Sequence, residues 1–121
     1  MKVHEYQAKE FFANYGVPVE RGVVCRTPDE AVEAYKNLGV ELAVVKAQVH
    51  TGGRGKAGGV KLGKNAEEIR THASNILGMD IKGFIVDRIL LCAAVDIKSE
   101  YYVSILPDRQ TKSAIFMISR E

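Results

Sequence analysis

The residues with the most chemistry in them lie between Thr51 and Val60, a stretch reading Thr-Gly-Gly-Arg-Gly-Lys-Ala-Gly-Gly-Val that follows Lys46 and His50. Five of its residues are glycine: Gly52, Gly53, Gly55, Gly58 and Gly59. Glycine loses more backbone freedom on folding than any other residue, roughly 0.5 to 1 kcal/mol against alanine, so the run is costly unless the loop needs it. What it supplies is backbone N–H groups with no side chain to keep an anion away. Arg54 and Lys56 bring positive charge to the same loop. The expectation is a loop that closes over the phosphates of a nucleotide. The competing reading is a solvated hairpin tip whose cations keep it soluble. If phosphate is the reason for the glycines, Gly53→Val should impair nucleotide binding more than folding.

Three glycine motifs fit the letters, and the flanks separate them. Gly53, Gly55 and Gly58 satisfy G-x-G-x-x-G, but the dinucleotide motif must open a helix, and Val60-Lys61-Leu62 continues as a strand pattern. A Walker A loop needs Gly-Lys-Ser/Thr, whereas Lys56 is followed by Ala57. The kinase pattern G-x-G-x-x-G-x-V matches from Gly53 to Val60, and its strand-loop-strand setting fits as well. No His-Arg-Asp or Asp-Phe-Gly follows, and the candidate phosphate lysine, Lys46, lies on the strand before the loop instead of one after it.

The elements that must position this loop are legible in outline. Ala8, Phe11, Phe12 and Tyr15 recur at helical spacing, which predicts a helix over Val3 to Tyr15 with one apolar stripe, stopped by Gly16 and Pro18. Gly22 to Cys25 reads as a short buried strand. Thr27, Pro28 and Glu30 form a capping box for a helix that buries Ala31, Ala34, Tyr35 and Leu38 and ends at Gly39. Leu42 to Val49 is an apolar strand interrupted by Lys46, which is either functional or a solvent-facing lysine on an edge strand. Gly59 to Gly63 returns as its partner. Asn65 and Glu68 repeat the cap signature before a helix carrying Ile69, Ala73, Ile76 and Leu77, closed by Gly78. Strands follow over Arg88 to Val95, Glu100 to Leu106 and Ser113 to Ser119, with Pro107 to Lys112 as a hairpin turn. The sum is a mixed α/β (α+β) unit, and the stop at Glu121 directly after a strand reads as a fragment.

Composition narrows the classes. The chain has 121 residues and a formal net charge of +2, far from the basic footprint of a nucleic-acid domain. No apolar run is long enough to span a bilayer, and the polar start is unlike a signal peptide, so a cytoplasmic location is expected. Cys25 and Cys92 stand far apart among apolar residues, as reduced core thiols do.

In order along the chain, His4-Glu-Tyr-Gln-Ala-Lys-Glu, Tyr15-Gly-Val-Pro18, Val45-Lys-Ala-Gln-Val-His-Thr-Gly-Gly-Arg-Gly-Lys-Ala-Gly-Gly-Val60, Asp96-Ile97, Glu100-Tyr-Tyr102 and Asp108-Arg109 resemble the β subunits of succinate-CoA ligase (succinyl-CoA synthetase). The central block is long, contiguous and rare. The resemblance implies an ATP-grasp fold with a mixed sheet and flanking helices, in which two α+β lobes hold ATP between them. Residues of about 20–103 would form the nucleotide-binding lobe, and 1–19 and 104–121 would be pieces of the second. It also implies roles: Lys46 on the nucleotide phosphates, Gly53, Arg54 and Gly55 in the covering loop, the strand around Cys92 and Val95 as the hinge beside the adenine, and Glu100 completing the pocket. The hinge position that usually holds a glutamate is Cys92, which lacks comparable hydrogen-bonding power.

The same resemblance places the Mg2+ ligands and the CoA-ligase part beyond residue 121 and the phosphohistidine on a partner α subunit, with succinate and CoA as the other substrates. A malate-CoA ligase or a GTP-preferring relative belongs to the same class. From other classes, Gly55-Lys-Ala-Gly58 fits the G-x-x-G clamp of KH domains, although that clamp sits between helices, and a non-catalytic assembly piece is a third reading. A lone lobe would leave the Phe11, Phe12 and Tyr15 stripe short of partners, which predicts self-association.

Overall fold

A computed structural model describes residues 2–120. Three helices, α1 (Glu5–Asn14), α2 (Pro28–Leu38) and α3 (Ala66–Ile76), alternate with eight strands: β1 (Gly22–Cys25), β2 (Ala43–Ala47), β3 (Val60–Gly63), β4 (Asp80–Ile81), β5 (Phe84–Ile85), β6 (Ile89–Ala93), β7 (Tyr101–Asp108) and β8 (Ser113–Arg120). Helices α2 and α3 start by one shared device. Thr27 Oγ1 accepts from Glu30 N at 3.2 Å while the Glu30 carboxylate accepts from Arg26 N at 2.6 Å. Asn65 Oδ1 accepts from Glu68 N at 2.8 Å while the Glu68 carboxylate accepts from Lys64 N at 2.9 Å. Two otherwise orphaned N–H groups are satisfied at each start, and Gly39 ends α2 in the left-handed region at φ 64°. Helix α1 is shorter than expected because His4 remains extended, its N–H donating to Gln7 Oε1 at 2.8 Å.

Strands β1, β6, β2 and β3 form a sheet in that order. The fold class is the expected α+β, but every pairing in the sheet is antiparallel rather than mixed. Lys46 stands opposite Val60 on β3 and Leu90 on β6. Side chains alternate across each strand, so Ala43, Val45 and Ala47 face one side with Ile89 and Leu91, against Ala31, Ala34 and Leu38 of α2 and Ile69, Ala73 and Ile76 of α3. Lys46, Leu90 and Cys92 face the other side, where α1 lies.

Four expectations change. Gly22 to Cys25 is an edge strand with only Cys25 buried, facing α2 in the core, while Val24 is half-buried on the side where α1 lies and Gly22 and Val23 are exposed. Lys46 is not on an edge strand: β2 is flanked by β6 and β3, so a merely solvent-facing lysine is the wrong description. The ribbon of β4 and β5 had no counterpart in the sequence reading. Its turn residues Lys82 and Gly83 both have positive φ, 54° and 85°, the two-residue hairpin geometry that Asn-Gly announces more loudly than Lys-Gly does. Finally, Pro107 and Asp108 belong to β7, and the reversal is made by residues 109–112, held by Asp108 accepting from Gln110 N at 2.9 Å. The hairpin of β7 and β8 pairs only with itself among the described strands, and every residue of β8 is exposed. Among the described residues no helix is long and apolar enough to cross a membrane.

Candidate functional site

Lys46 leaves β2 on the α1 face, and its Nζ reaches Glu5 Oε1 at 3.1 Å. Arg54, seven residues past the end of β2, folds back so that its Nη1 lies 2.8 Å from Glu5 Oε2 and donates to the Ala47 carbonyl at 2.7 Å. Gln48 is almost wholly buried at 1% exposure; its Nε2 donates to Glu5 Oε2 at 3.3 Å and its Oε1 accepts from Tyr6 N at 3.1 Å. Lys9, one turn along α1, sits 3.4 Å from Glu5 Oε1 and 2.8 Å from Glu20 Oε2. Both oxygens of one carboxylate are therefore engaged. Burial pushes the Glu5 pKa up, but the charges and hydrogen bonds of Lys46 and Arg54 outweigh it and hold the group at about 2.

The glycine loop is a compact turn. Ala57 N donates to Gly53 O at 3.1 Å, Gly58 N to Gly55 O at 3.0 Å and Gly59 N to Arg54 O at 2.8 Å, while Ala47 N donates to Gly59 O at 2.7 Å and ties the loop to β2. Three glycines of the loop are required by the fold, Gly58 among them at φ 82°. Gly53 has φ 78°, and a Cβ on Gly59 would stand 2.7 Å from Ile81 Cδ1 and 3.1 Å from Ala47 Cβ. Gly55 is different: its backbone is ordinary and its missing Cβ would meet nothing within 4 Å. The N–H groups of Gly53, Arg54 and Gly55 find no acceptor among the described residues. From the β4–β5 turn, Lys82 Nζ donates to Gly52 O at 3.0 Å.

These parts wall a cleft of about 1160 Å³, lined by Gly53, Arg54, Gly55, Glu5, Lys82 and Glu100 among others. The structure thus brings Lys46 and Arg54 together on Glu5, and Gly53, Arg54, Gly55 and Glu100 around one space. Lys46, Cys92 and Val95 do not line it, Lys46 reaching it only through Glu5. Cys92 is buried on β6, its backbone inside the ladder between β1 and β2, its thiol pKa raised by burial and its Sγ 3.8 Å from Lys9 Nζ. Val95 is exposed just past the end of β6. Beside the cleft, the rings of His4 and His50 stack at 3.9 Å, and burial first, then the His50 and Arg88 charges, lower the His4 pKa.

Sequence reasoning missed Glu5, Gln48 and Lys82. A glutamate in the first turn of a helix already has a sufficient explanation in the helix dipole, which hid its second role. Lys82 lay in a segment with no assigned element.

A model of the ATP-grasp domain matches residues 2–121. The chain is 60% identical over 119 residues to the succinate-CoA ligase (ADP-forming) subunit beta of Bacteroides thetaiotaomicron, covering 98% of this chain and 32% of that protein. It is 51% identical to the subunit of the same name from Bacillus cytotoxicus, covering all of this chain and 33% of that one. The chain therefore spans about a third of the length of the curated relatives it matches. Among solved structures, a dinucleotide-forming acetyl-coenzyme A synthetase of Ca. Korarchaeum cryptofilum, in complex with coenzyme A, Ca-AMPCP and HgCl+, superposes with a TM-score of 0.84 at 23% identity, over 98% of this chain and 53% of that one. That likeness is one of fold. With a four-stranded antiparallel sheet, a glycine loop between its strands and a family model matched from residue 2 to residue 121, this chain belongs to the ATP-grasp domain family.

Proposed function

We propose that this chain is the nucleotide-binding segment of the β subunit of a succinate-CoA ligase, whose whole form converts succinate, CoA and ATP to succinyl-CoA, ADP and phosphate. The observation that carries the reading is the meeting of Lys46 and Arg54 on Glu5, where Arg54 and Glu5 wall a cleft rimmed by the free N–H groups of Gly53 and Gly55. Phosphoryl transfer asks a protein for positioning and charge neutralisation more than for covalent help. Lys46 and Arg54 neutralise phosphate oxygens, the loop N–H groups donate to them, and Glu100 closes the far wall. Val95, exposed just past the end of β6, offers its backbone to the base. Cys92 contributes through the strand it anchors, since its side chain lies under α1.

Magnesium accompanies the phosphates on ligands outside this chain. Residues of about 20–103 make up the nucleotide lobe, with 1–19 and 104–121 belonging to its companion lobe. The α subunit supplies the phosphohistidine, and the protein works in the cytoplasm.

The test is the full-length parent with an α subunit, succinate, CoA and ATP. Succinyl-CoA and ADP are expected, and this chain alone should form neither. Malate or GTP as the preferred substrate would move the assignment to a sister enzyme. ATP binding without any acyl-CoA product would overturn the ligase assignment while leaving the nucleotide site.

A further inference from the structure

We infer that Glu5 is a positioning residue for the phosphate site: seated at the start of α1, its carboxylate fixes Lys46 beside Arg54 at the edge of the cleft that Glu5 and Arg54 line. This rests on the nucleotide reading above and deepens it. The geometry is that of a clamp with one oxygen for each cation, Lys46 at 3.1 Å on Oε1 and Arg54 at 2.8 Å on Oε2. Neither cation is used up. Arg54 engages Glu5 and the Ala47 carbonyl through Nη1 alone, leaving its Nε and Nη2 without partners among the described residues, and an ammonium has three N–H groups. Protein kinases hold their phosphate lysine by a glutamate from a neighbouring helix. Here the lysine precedes the glycine loop instead of following it, and the helix comes first in the chain, yet strand lysine and helix glutamate stand in the same relation.

The charges around Glu5 support a clamp over a simple blocker. Lys9 from α1, Lys46 from β2 and Arg54 from the loop face it, while Glu20 takes part of the Lys9 charge. The cluster keeps one positive charge in excess, so an arriving phosphate still meets a net cation.

A consequence follows for α1. The helix buries no side chain, and polar contacts tie it to the sheet: Tyr6 N to Gln48 Oε1 at 3.1 Å, Arg88 Nη1 to the Tyr6 hydroxyl at 3.2 Å, and the Glu5 and Lys9 pairs. A shift of α1 would take Glu5 with it and release both cations. The seat of the first helix is thereby linked to phosphate affinity.

The experiment is calorimetric titration of the full-length parent with ATP for wild type, Glu5→Gln, Glu5→Asp, Lys46→Ala, Arg54→Ala and Glu5→Gln with Lys46→Ala. Glu5→Gln is expected to weaken binding by roughly 5- to 20-fold, Glu5→Asp to recover part of the loss, and the double variant to bind within about twofold of Lys46→Ala, because coupled residues are not additive. A second measurement needs no nucleotide: acylation of the Lys46 amine, read by mass spectrometry, should quicken in Glu5→Gln as the ion pair is lost. If Glu5→Gln binds ATP as tightly as wild type or more tightly while Lys46→Ala does not, the carboxylate competes with phosphate and the clamp is refuted, the nucleotide site standing. If Lys46→Ala and Arg54→Ala also bind unchanged, the nucleotide site and the clamp fall together.

Discussion

Lys46 and Arg54 share one anion, and that fixes what their removal should do. In the full-length parent, Lys46→Ala and Arg54→Ala should each weaken ATP binding by about 1.5 to 3 kcal/mol, the range for hydrogen bonds to charged groups. Titration calorimetry checks this, and unchanged affinity in both would remove the phosphate assignment. Acid should act on the same cluster. Glu5 has a folded pKa of about 2 against a reference of 4.5, so its stabilisation is complete above about 4.5 and is lost as pH falls toward 2. His4 is lowered from 6.5, so the unfolded state takes up its proton first and stability also declines once pH drops below that value. Melting temperature against pH should therefore fall in two stages, and Glu5→Gln should shrink the lower one, to which Glu20 and Asp87, held low by their own cation partners, also contribute.

At the scale of elements, the glycine loop divides into positions that serve the fold and positions free to serve a ligand. Gly59 packs under Ile81, where an added Cβ at 2.7 Å from Cδ1 demands movement of that buried side chain. Gly59→Ala should cost about 1 to 3 kcal/mol of stability, as overpacking does. Gly53, at φ 78°, couples fold and function, so Gly53→Val should lower melting and binding together instead of separating them. Gly55→Ala makes the cleaner separation. Its site is open, so the denaturant midpoint should stay within error of wild type while ATP affinity drops as the methyl blocks close approach of phosphate; equal affinity would show that no phosphate approaches the Gly55 backbone closely. Caps show why helices were readable from the sequence. Thr27 with Glu30, and Asn65 with Glu68, act within four residues, and local hydrogen bonds need no knowledge of the rest of the chain.

On the whole molecule, two apolar surfaces have no cover among the described residues. Phe11 is 60% exposed on α1, and Phe116 and Ile118 are 65% and 69% exposed on β8. Patches of this kind mark association surfaces. Sedimentation of this chain should show concentration-dependent self-association, and Phe116→Ser with Ile118→Ser should shift it toward monomer. A monomer at all concentrations before substitution would show that these faces are tolerated in water.

The sequence by itself determined the periodic and the local: three helices with their caps, the apolar strands, and the glycine loop with Arg54 inside it and Lys46 before it. Those signals are short-range, set by side-chain alternation, capping and turn chemistry. Tertiary structure decided the rest. That β2 is interior, that Gly22 to Cys25 is an edge, and that Lys82 lies against Gly52 all depend on strand order and ribbon packing, which bring together residues distant in the chain. Glu5 is the clearest case. It is 41 residues from Lys46 and 49 from Arg54, and only the seat of α1 on the sheet makes its carboxylate the counter-ion of both.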